Sequence, residues 1–246
     1  MDSTHPDPIP TPLFKYLDEE GGIKTLENLT LMFSNPADFN DPFEFLPALN
    51  ETRPVNEIRD RYARNSFIFC MTKREFNVRM WDHYGDKHRG LMISLDFQDA
   101  LASYRERWIR RVDYDSEERF PLLKDSLSSN ENAKLFEAIV THKGKDWEPE
   151  AEYRWFLPRQ NCHCEGQPKE PDQIGEVRVL GGKEKAFLPI SPASILKVTL
   201  GFESGKDLLK QVLGFRSDHK APWEVTKAKL SPNTFQFIDD VIVPAG

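Results

Sequence analysis

Glu150, Glu152 and Arg154 recur at every second position in the segment 150–154. They alternate with Ala151, Tyr153 and Trp155, and a period of two predicts a strand with the three charged side chains on one face. Pro149 just before them opposes a helix. Two carboxylates beside a guanidinium can neutralise one another as a charge ladder on an exposed edge. Alternatively, one is a catalytic carboxylate and its neighbours orient it.

Other polar and aromatic residues cluster in three further stretches. Between two short apolar runs, 67–73 and 91–96, lies a polar segment that carries Trp81, His83 and Tyr84 and closes at Gly90, which reads as strand, turn-helix, strand. Aromatic and imidazole groups crowded there suggest a pocket, or else Trp81 and Tyr84, three apart on a helix, are core residues with polar tips and His83 a surface neighbour. In the loop 39–43, Phe39 and Phe43 frame Asn40 and Asp41. Pro42 keeps Asp41 out of the helical region, and Asn or Asp side chains can lock such a loop through backbone amides, either for rigidity alone or to face polar groups to a ligand. Cys162, His163 and Cys164 tempt toward a metal, but their spacing rarely closes a tetrahedral site and no partner at a usual spacing accompanies them. Gly166, Pro168 and Pro171 around them predict a mobile polar loop, and no metal is expected.

The elements that position these residues follow from periodicity. Prolines 6, 8, 10 and 12 make residues 1–12 an extended tail, and 13–246 is read as a single domain. Short strands are predicted over 13–17, 30–34 and 112–114, and further strands over 175–180, 186–190, 195–201, 226–230 and 235–238, with a turn at Gly181-Gly182. Helices are predicted over 23–29, 55–65, 97–104 and 205–213, with helical segments in 120–145. Strands outnumber helices, which favours an α+β domain with a split or sandwiched, mainly antiparallel sheet flanked by helices over a doubly wound one. Dinucleotide-binding glycine fingerprints, phosphate-binding loops, zinc-protease helices and hydrolase elbows do not occur in the sequence.

The 246 residues are 39% hydrophobic and 11% aromatic, enough for a core. Thirty-three basic and 40 acidic residues give a net charge of −7, so no global field recruits nucleic acid or an anionic membrane, although 105–111 is locally basic. No apolar run reaches the roughly 18 residues of a membrane span, and the first residues lack the features of a signal peptide, so a cytoplasmic protein without membrane contact is expected. Three cysteines are too few and too unevenly placed for a disulfide framework.

Taken together, Lys15-Tyr16, the loop Phe39 to Phe43, Trp81-Asp82-His83-Tyr84 through Gly90, and Glu150 to Arg154 resemble the bacterial domain-of-unknown-function 2971 family. Relatives commonly show a serine-x-serine pattern where this chain has Cys70, Met71 and Thr72, which leaves any hydroxyl role to Thr72. The layout of an early aromatic strand, a middle hydroxyl strand and a late Glu-x-Glu strand is also similar to that of ADP-ribosyltransferases, an analogy at the level of fold. It implies an enzyme that moves ADP-ribose from NAD to a protein or nucleic acid, as a toxin or phage-defence effector, with an inhibitory partner in some settings. Glu152 or Glu150 would stabilise the ribosyl cation and the other orient the nucleophile. Tyr16 and Tyr84 would stack on nicotinamide, His83, Asn40 and Thr72 would bond ribose and amide, and Asp41, Trp81 and Arg154 complete the expected NAD site. These residues are expected to converge on one cleft, with Glu152→Gln abolishing activity while leaving the fold intact. A non-catalytic nucleotide- or peptide-binding sensor module, and a metal-assisted nuclease or hydrolase using Glu150, Glu152 and His83, remain the alternatives.

Overall fold

A computed structural model describes residues 9–39, 41, 43–44, 65–102, 109–114 and 139–246. Among them, twelve strands and three α-helices give an α+β fold in which most strand pairs are antiparallel. The expected helix over 55–65, most of the helical segments in 120–145 and most of the tail lie outside the described residues. By their contacts the residues fall into two compact units, the first of 1–30, 71–109 and 190–246 and the second of 31–70 and 110–189.

The first unit is built on β1 (Leu13–Leu17), β4 (Leu91–Leu95), β10 (Ile195–Leu200), β11 (Glu224–Leu230) and β12 (Phe237–Val243), in the order β12-β11-β10-β4-β1. β10 and β11 run parallel, which requires a crossover, and α3 (Lys206–Asp218) supplies it. Period two divides each strand between two faces. Directly paired residues share a face, so Tyr16, Met92, Thr199 and Thr226 form one row across four strands. Leu91, Ile93, Val198, Leu200 and Val225 point the other way and are fully buried, with α1 (Glu19–Asn28) packed along α3.

α1 begins four residues before the expected Ile23. Its signal is a cap rather than apolar spacing: Asp18 Oδ1 accepts from Gly21 N at 2.6 Å, and Glu19 and Glu20 sit in the first turn, where acidic groups favour the helix dipole. Gly21 and Gly22 lower helix propensity, yet an added Cβ on Gly22 would meet the Leu91 side chain at 2.6 Å, so packing chose glycine there. α3 likewise runs five residues beyond the expected Leu213. Residues 97–101 form a turn closed by Asp96, whose carboxylate accepts from the backbone N–H groups of Gln98, Asp99 and Ala100, so helix begins at Ala102, five residues later than expected, and 103–104 lie outside the described residues.

The second unit contains most of β2 (Thr30–Ser34), β3 (Ser66–Thr72) as far as Cys70, β5 (Ile109–Arg111) from Arg110 onward, β6 (Glu152–Pro158), β7 (Cys162–Cys164), β8 (Gly175–Leu180) and β9 (Lys183–Pro189). Its core is aromatic: Phe33 packs against Phe69 at 5.3 Å and edge-on against Trp155 at 5.2 Å between ring centroids. Gly181 and Gly182 both take positive φ, 57° and 77°, as a two-residue hairpin turn between β8 and β9 demands.

Two expectations are corrected in this unit. Cys162, His163 and Cys164 form strand β7, paired in parallel with β8, and Cys162 is buried with its thiol pushed up to about 11 by burial. The turn-forming residues that predicted a loop follow the strand instead of interrupting it. Strand character over 112–114 is shifted to Ile109–Arg111, with Asp113 making an isolated bridge to His142.

A prediction comes from the close backbone approaches of the first unit. A Cβ on Gly90 would stand 2.1 Å from the Leu17 carbonyl oxygen, and one on Gly201 would stand 2.1 Å from that of His88. Both obstacles are backbone and cannot rotate away. Gly90→Ala and Gly201→Ala should each cost roughly 1–3 kcal/mol as overpacking does, read as a lower urea midpoint at unchanged slope, whereas Gly205→Ala, which meets nothing within 4 Å, should not.

Candidate functional site

Arg154, in the middle of β6, is fully buried, and its guanidinium organises the polar interior of the second unit. Nε donates to Glu152 Oε1 at 2.8 Å, Nη1 to the Val140 carbonyl at 2.7 Å, and Nη2 to Glu44 Oε1 and to Glu152 Oε2, the latter at 3.3 Å. Glu152 and Arg154 are two apart on a strand, so the expected period of two is what lets them meet. Glu150 does not belong to that strand. It ends a 3-10 helix, Lys145–Glu150, that accommodates Pro149, and Ala151 turns the chain into β6 with φ of 45°.

Lys143 joins the three carboxylates. Its Nζ lies 2.7 Å from Glu150 Oε2, 3.2 Å from Glu152 Oε2 and 3.5 Å from Glu44 Oε1, and 4.5 Å from the centre of the Trp147 ring. Phe39 lies beneath the Arg154 guanidinium at 5.8 Å. The charge ladder expected on an exposed edge is instead an interior cluster. Side-chain exposure is 2% for Glu44, 6% for Glu152 and 12% for Glu150, which makes Glu150 the carboxylate nearest to solvent.

Burial and charge pull these groups in opposite directions. Desolvation alone would raise the Glu152 carboxyl, but Arg154, then Lys143, together with hydrogen bonds from Arg154 and the Cys70 thiol, outweigh it and hold Glu152 ionised below the usual carboxylate range. For Glu44 desolvation wins over Arg154, helped by repulsion from Glu152, and its carboxyl is raised. Lys143 and Arg154 are both desolvated, yet the carboxylates around them favour their charged forms. The backbone N–H of Glu152 also donates to the Tyr114 hydroxyl at 3.0 Å, which fixes the start of β6.

Asp41 lies in the same unit and is buried. Its carboxylate accepts from Phe43 N at 2.8 Å, the local lock anticipated for this loop, and it places Glu44 one residue on. Asn40 lies outside the described residues. Glu44 and Lys143 were not among the residues singled out from sequence. A signal for Glu44 exists, however, as a lone carboxylate inside the apolar run 42–47, since a charge in such a run must be paired if it is buried.

Tyr16, Thr72, Trp81, His83 and Tyr84 belong to the first unit. Trp81, on α2 (Val78–His83), is completely buried and meets Tyr16 edge-on, with ring centroids 5.0 Å apart, as part of a core with Phe14, Met92 and Phe237. The Tyr16 hydroxyl donates to the Glu75 carbonyl, with the Arg74 carbonyl also 3.2 Å away, and accepts from Asn77 N at 3.2 Å, so it anchors the 74–77 turn; burial pushes its phenol above the usual range. Thr72 is buried and its Oγ1 accepts from Arg74 N at 3.0 Å. His83 is exposed, and Tyr84 is half-buried beside it.

A further polar group lies on the same face of the first unit. Lys197 Nζ bridges Glu75 and Asp239, 2.5 Å from the latter, and Thr226 Oγ1 donates either to Asp239 Oδ1 at 2.8 Å or to Thr199 at 2.9 Å. Among the described residues no group of three or more His, Cys, Asp or Glu side chains is placed to hold a metal ion, and no described helix is long and apolar enough to cross a membrane.

Residues 80–155 match the family described as Protein of unknown function (DUF2971). The matched span takes in the Trp81 to Gly90 turn and the Glu150 to Arg154 stretch, two of the four stretches that carry the resemblance, and excludes Lys15-Tyr16 and the loop 39–43. No curated protein and no solved structure matches the chain.

Because Glu152 is the buried partner of Arg154, Glu152→Gln should not leave the fold untouched. Breaking one side of a buried ion pair should cost about 3–5 kcal/mol near neutral pH. The folded-state carboxyl lies below its ordinary value of 4.5, at about 2, so its contribution is present above pH 4.5 and is lost as pH falls toward 2. The stability difference between wild type and Glu152→Gln, followed by urea unfolding, should therefore shrink on acidification through that window. Glu44, with its carboxyl raised, works in the opposite sense, losing stability as pH rises above the ordinary carboxylate value. Glu44→Gln should consequently remove a fall of stability above pH 4.5, read in the same urea titrations, while the rise below that pH stays with Glu152.

Proposed function

We propose that this chain, with its DUF2971-like segment, is an ADP-ribosyltransferase-like enzyme that uses NAD, with Glu150 as the carboxylate facing the ribose. The observation that carries the reading is the Lys143 bridge, which ties the most exposed carboxylate of the cluster, Glu150, to the buried and ionised Glu152. An ionised carboxylate fixed beforehand in a low-dielectric setting is what a developing ribosyl cation requires. Glu152, Arg154 and Lys143 act as positioning residues, and the half-buried Trp147 ring beside Lys143 offers a stacking surface for nicotinamide.

In the reaction, the bond between ribose C1′ and the nicotinamide nitrogen breaks with its electron pair leaving on nicotinamide. A nucleophile on a protein or nucleic acid forms the new bond to C1′ and passes its proton to Glu150. As a cytoplasmic effector such an enzyme would slow the growth of cells that express it. The second reading is a non-catalytic nucleotide- or peptide-binding module. What favours it is that both Glu152 oxygens are engaged by Arg154 and Lys143, as in a structural ion cluster.

The test is release of nicotinamide from NAD together with transfer of labelled ADP-ribose to lysate protein and nucleic acid. Glu150→Gln should lower the rate about a hundredfold to a thousandfold, the loss that follows removal of one preorganised electrostatic group. Because Glu150 is also the nearest partner of the buried Lys143, the substitution should lower the unfolding midpoint too, so the rates are compared well below that midpoint. A wild-type chain that neither consumes NAD nor is stabilised by it against heat would remove the transferase reading in favour of the binding module.

A further inference from the structure

We propose that the face of the first unit bearing Trp81 and His88 recognises a small neutral ring with an amide edge, a carbonyl beside an N–H, as found in a lactam nucleobase or a carboxamide-bearing heteroaromatic ring. The site lies wholly within the first unit and does not rest on the Glu150 reading. Two buried polar atoms mark it: Trp81 Nε1 and His88 Nδ1 have no hydrogen-bond partner among the described residues, and Trp81 is completely buried. Buried indole and imidazole nitrogens are ordinarily satisfied, and each exception calls for a physical cause.

The backbone beneath these groups is itself under constraint. Asp86, Lys87 and His88 take φ of 49°, 52° and 68° in succession, a left-handed run that residues with a Cβ seldom adopt. It is held from several sides. His88 N donates to the Trp81 carbonyl at 3.2 Å, Glu203 N donates to the His88 carbonyl at 2.9 Å, and the Asp86–Arg89 ion pair closes the turn at 2.7 Å. Such over-determined strain gathers at ligand clamps and switch regions. Its result here is to lay the His88 ring within 25° of parallel to Trp81, at 6.4 Å between centroids, and 5.3 Å from Phe237.

The chemistry of the surroundings selects the ligand. Met92, Phe202 and Phe237 make the setting apolar, so an unpaired charge would be costly there. The Tyr16 hydroxyl is consumed by the 74–77 turn, and Lys197 is held by Glu75 and Asp239. Among the described residues, Trp81 leaves the indole N–H as a donor and His88 leaves one imidazole nitrogen that donates or accepts according to its tautomer. A carbonyl beside an N–H answers both, and a flat ring suits the alignment of Trp81 and His88. Both nitrogens are closed from water in the structure, so binding requires a shift of a neighbouring ring such as Phe237.

Saturation-transfer NMR on the whole chain with uracil, nicotinamide and benzene tests the assignment. Uracil, nicotinamide or both should bind more tightly than benzene, and which of them binds identifies the source of the amide edge. Trp81→Phe, which keeps a ring and loses the donor, should weaken binding at least tenfold, while Glu150→Gln should not alter it. Should Trp81→Phe fail to fold, His88→Asn carries the test, because asparagine tolerates the left-handed backbone, and it should weaken binding likewise. Absence of binding by both amides, benzene binding as tightly as they do, or binding unchanged in the folded variants would overturn the proposal.

Discussion

A guanidinium with no access to water can persist in a protein only if its donors are met, and Arg154 sets that condition for the second unit. The cost of taking such an ion out of water is several kcal/mol even after relaxation. Glu152 on the same strand, Glu44 in the loop that Asp41 locks, and the Val140 carbonyl meet it between them. One side chain thereby ties together three stretches far apart in sequence. Lys143 then extends the pairing to Glu150, and with it the cluster reaches toward solvent.

The opposite shifts of Glu44 and Glu152 follow from how the cations are divided. Glu152 has Arg154 on both of its oxygens and Lys143 on one, whereas Glu44 has Arg154 as its close partner and Lys143 farther away. Two carboxylates that share a guanidinium thus end on opposite sides of the ordinary value. Environments that push like groups apart are a mark of acid–base sites, although structural ion clusters produce them too. The half-buried aromatic rings beside the two cations, Phe39 and Trp147, add flat surfaces next to fixed charge.

The first unit handles its polar groups differently. Lys197, Glu75, Asp239, Thr226 and Thr199 satisfy one another along one face of the strands, and the Tyr16 hydroxyl is spent on a turn. Trp81 and His88 stand apart from that economy, as do the Ser204 hydroxyl and the Trp223 indole N–H. The constraint on the Asp86 to His88 backbone is retained although the buried nitrogens beside it find no partner among the described residues.

Local rules in the sequence were enough to determine the α+β class, the Gly181-Gly182 hairpin, the lock between Asp41 and Phe43, and the shared face of Glu152 and Arg154. Each depends on residues a few positions apart, where period, turn chemistry and steric permission act directly. The extent of α1 was also written locally, in the Asp18 cap, but two glycines weaken its helical signal, and only the tertiary contact with Leu91 explains Gly22. Tertiary structure alone decided that Glu150 leaves the strand, that Cys162 to Cys164 pair with β8, and that the Glu–Arg pair is interior rather than on an edge. It also recruited Glu44 and Lys143, one from 110 residues before Arg154, because the energy of a buried charge depends on which partners the chain brings to it and not on its neighbours in sequence.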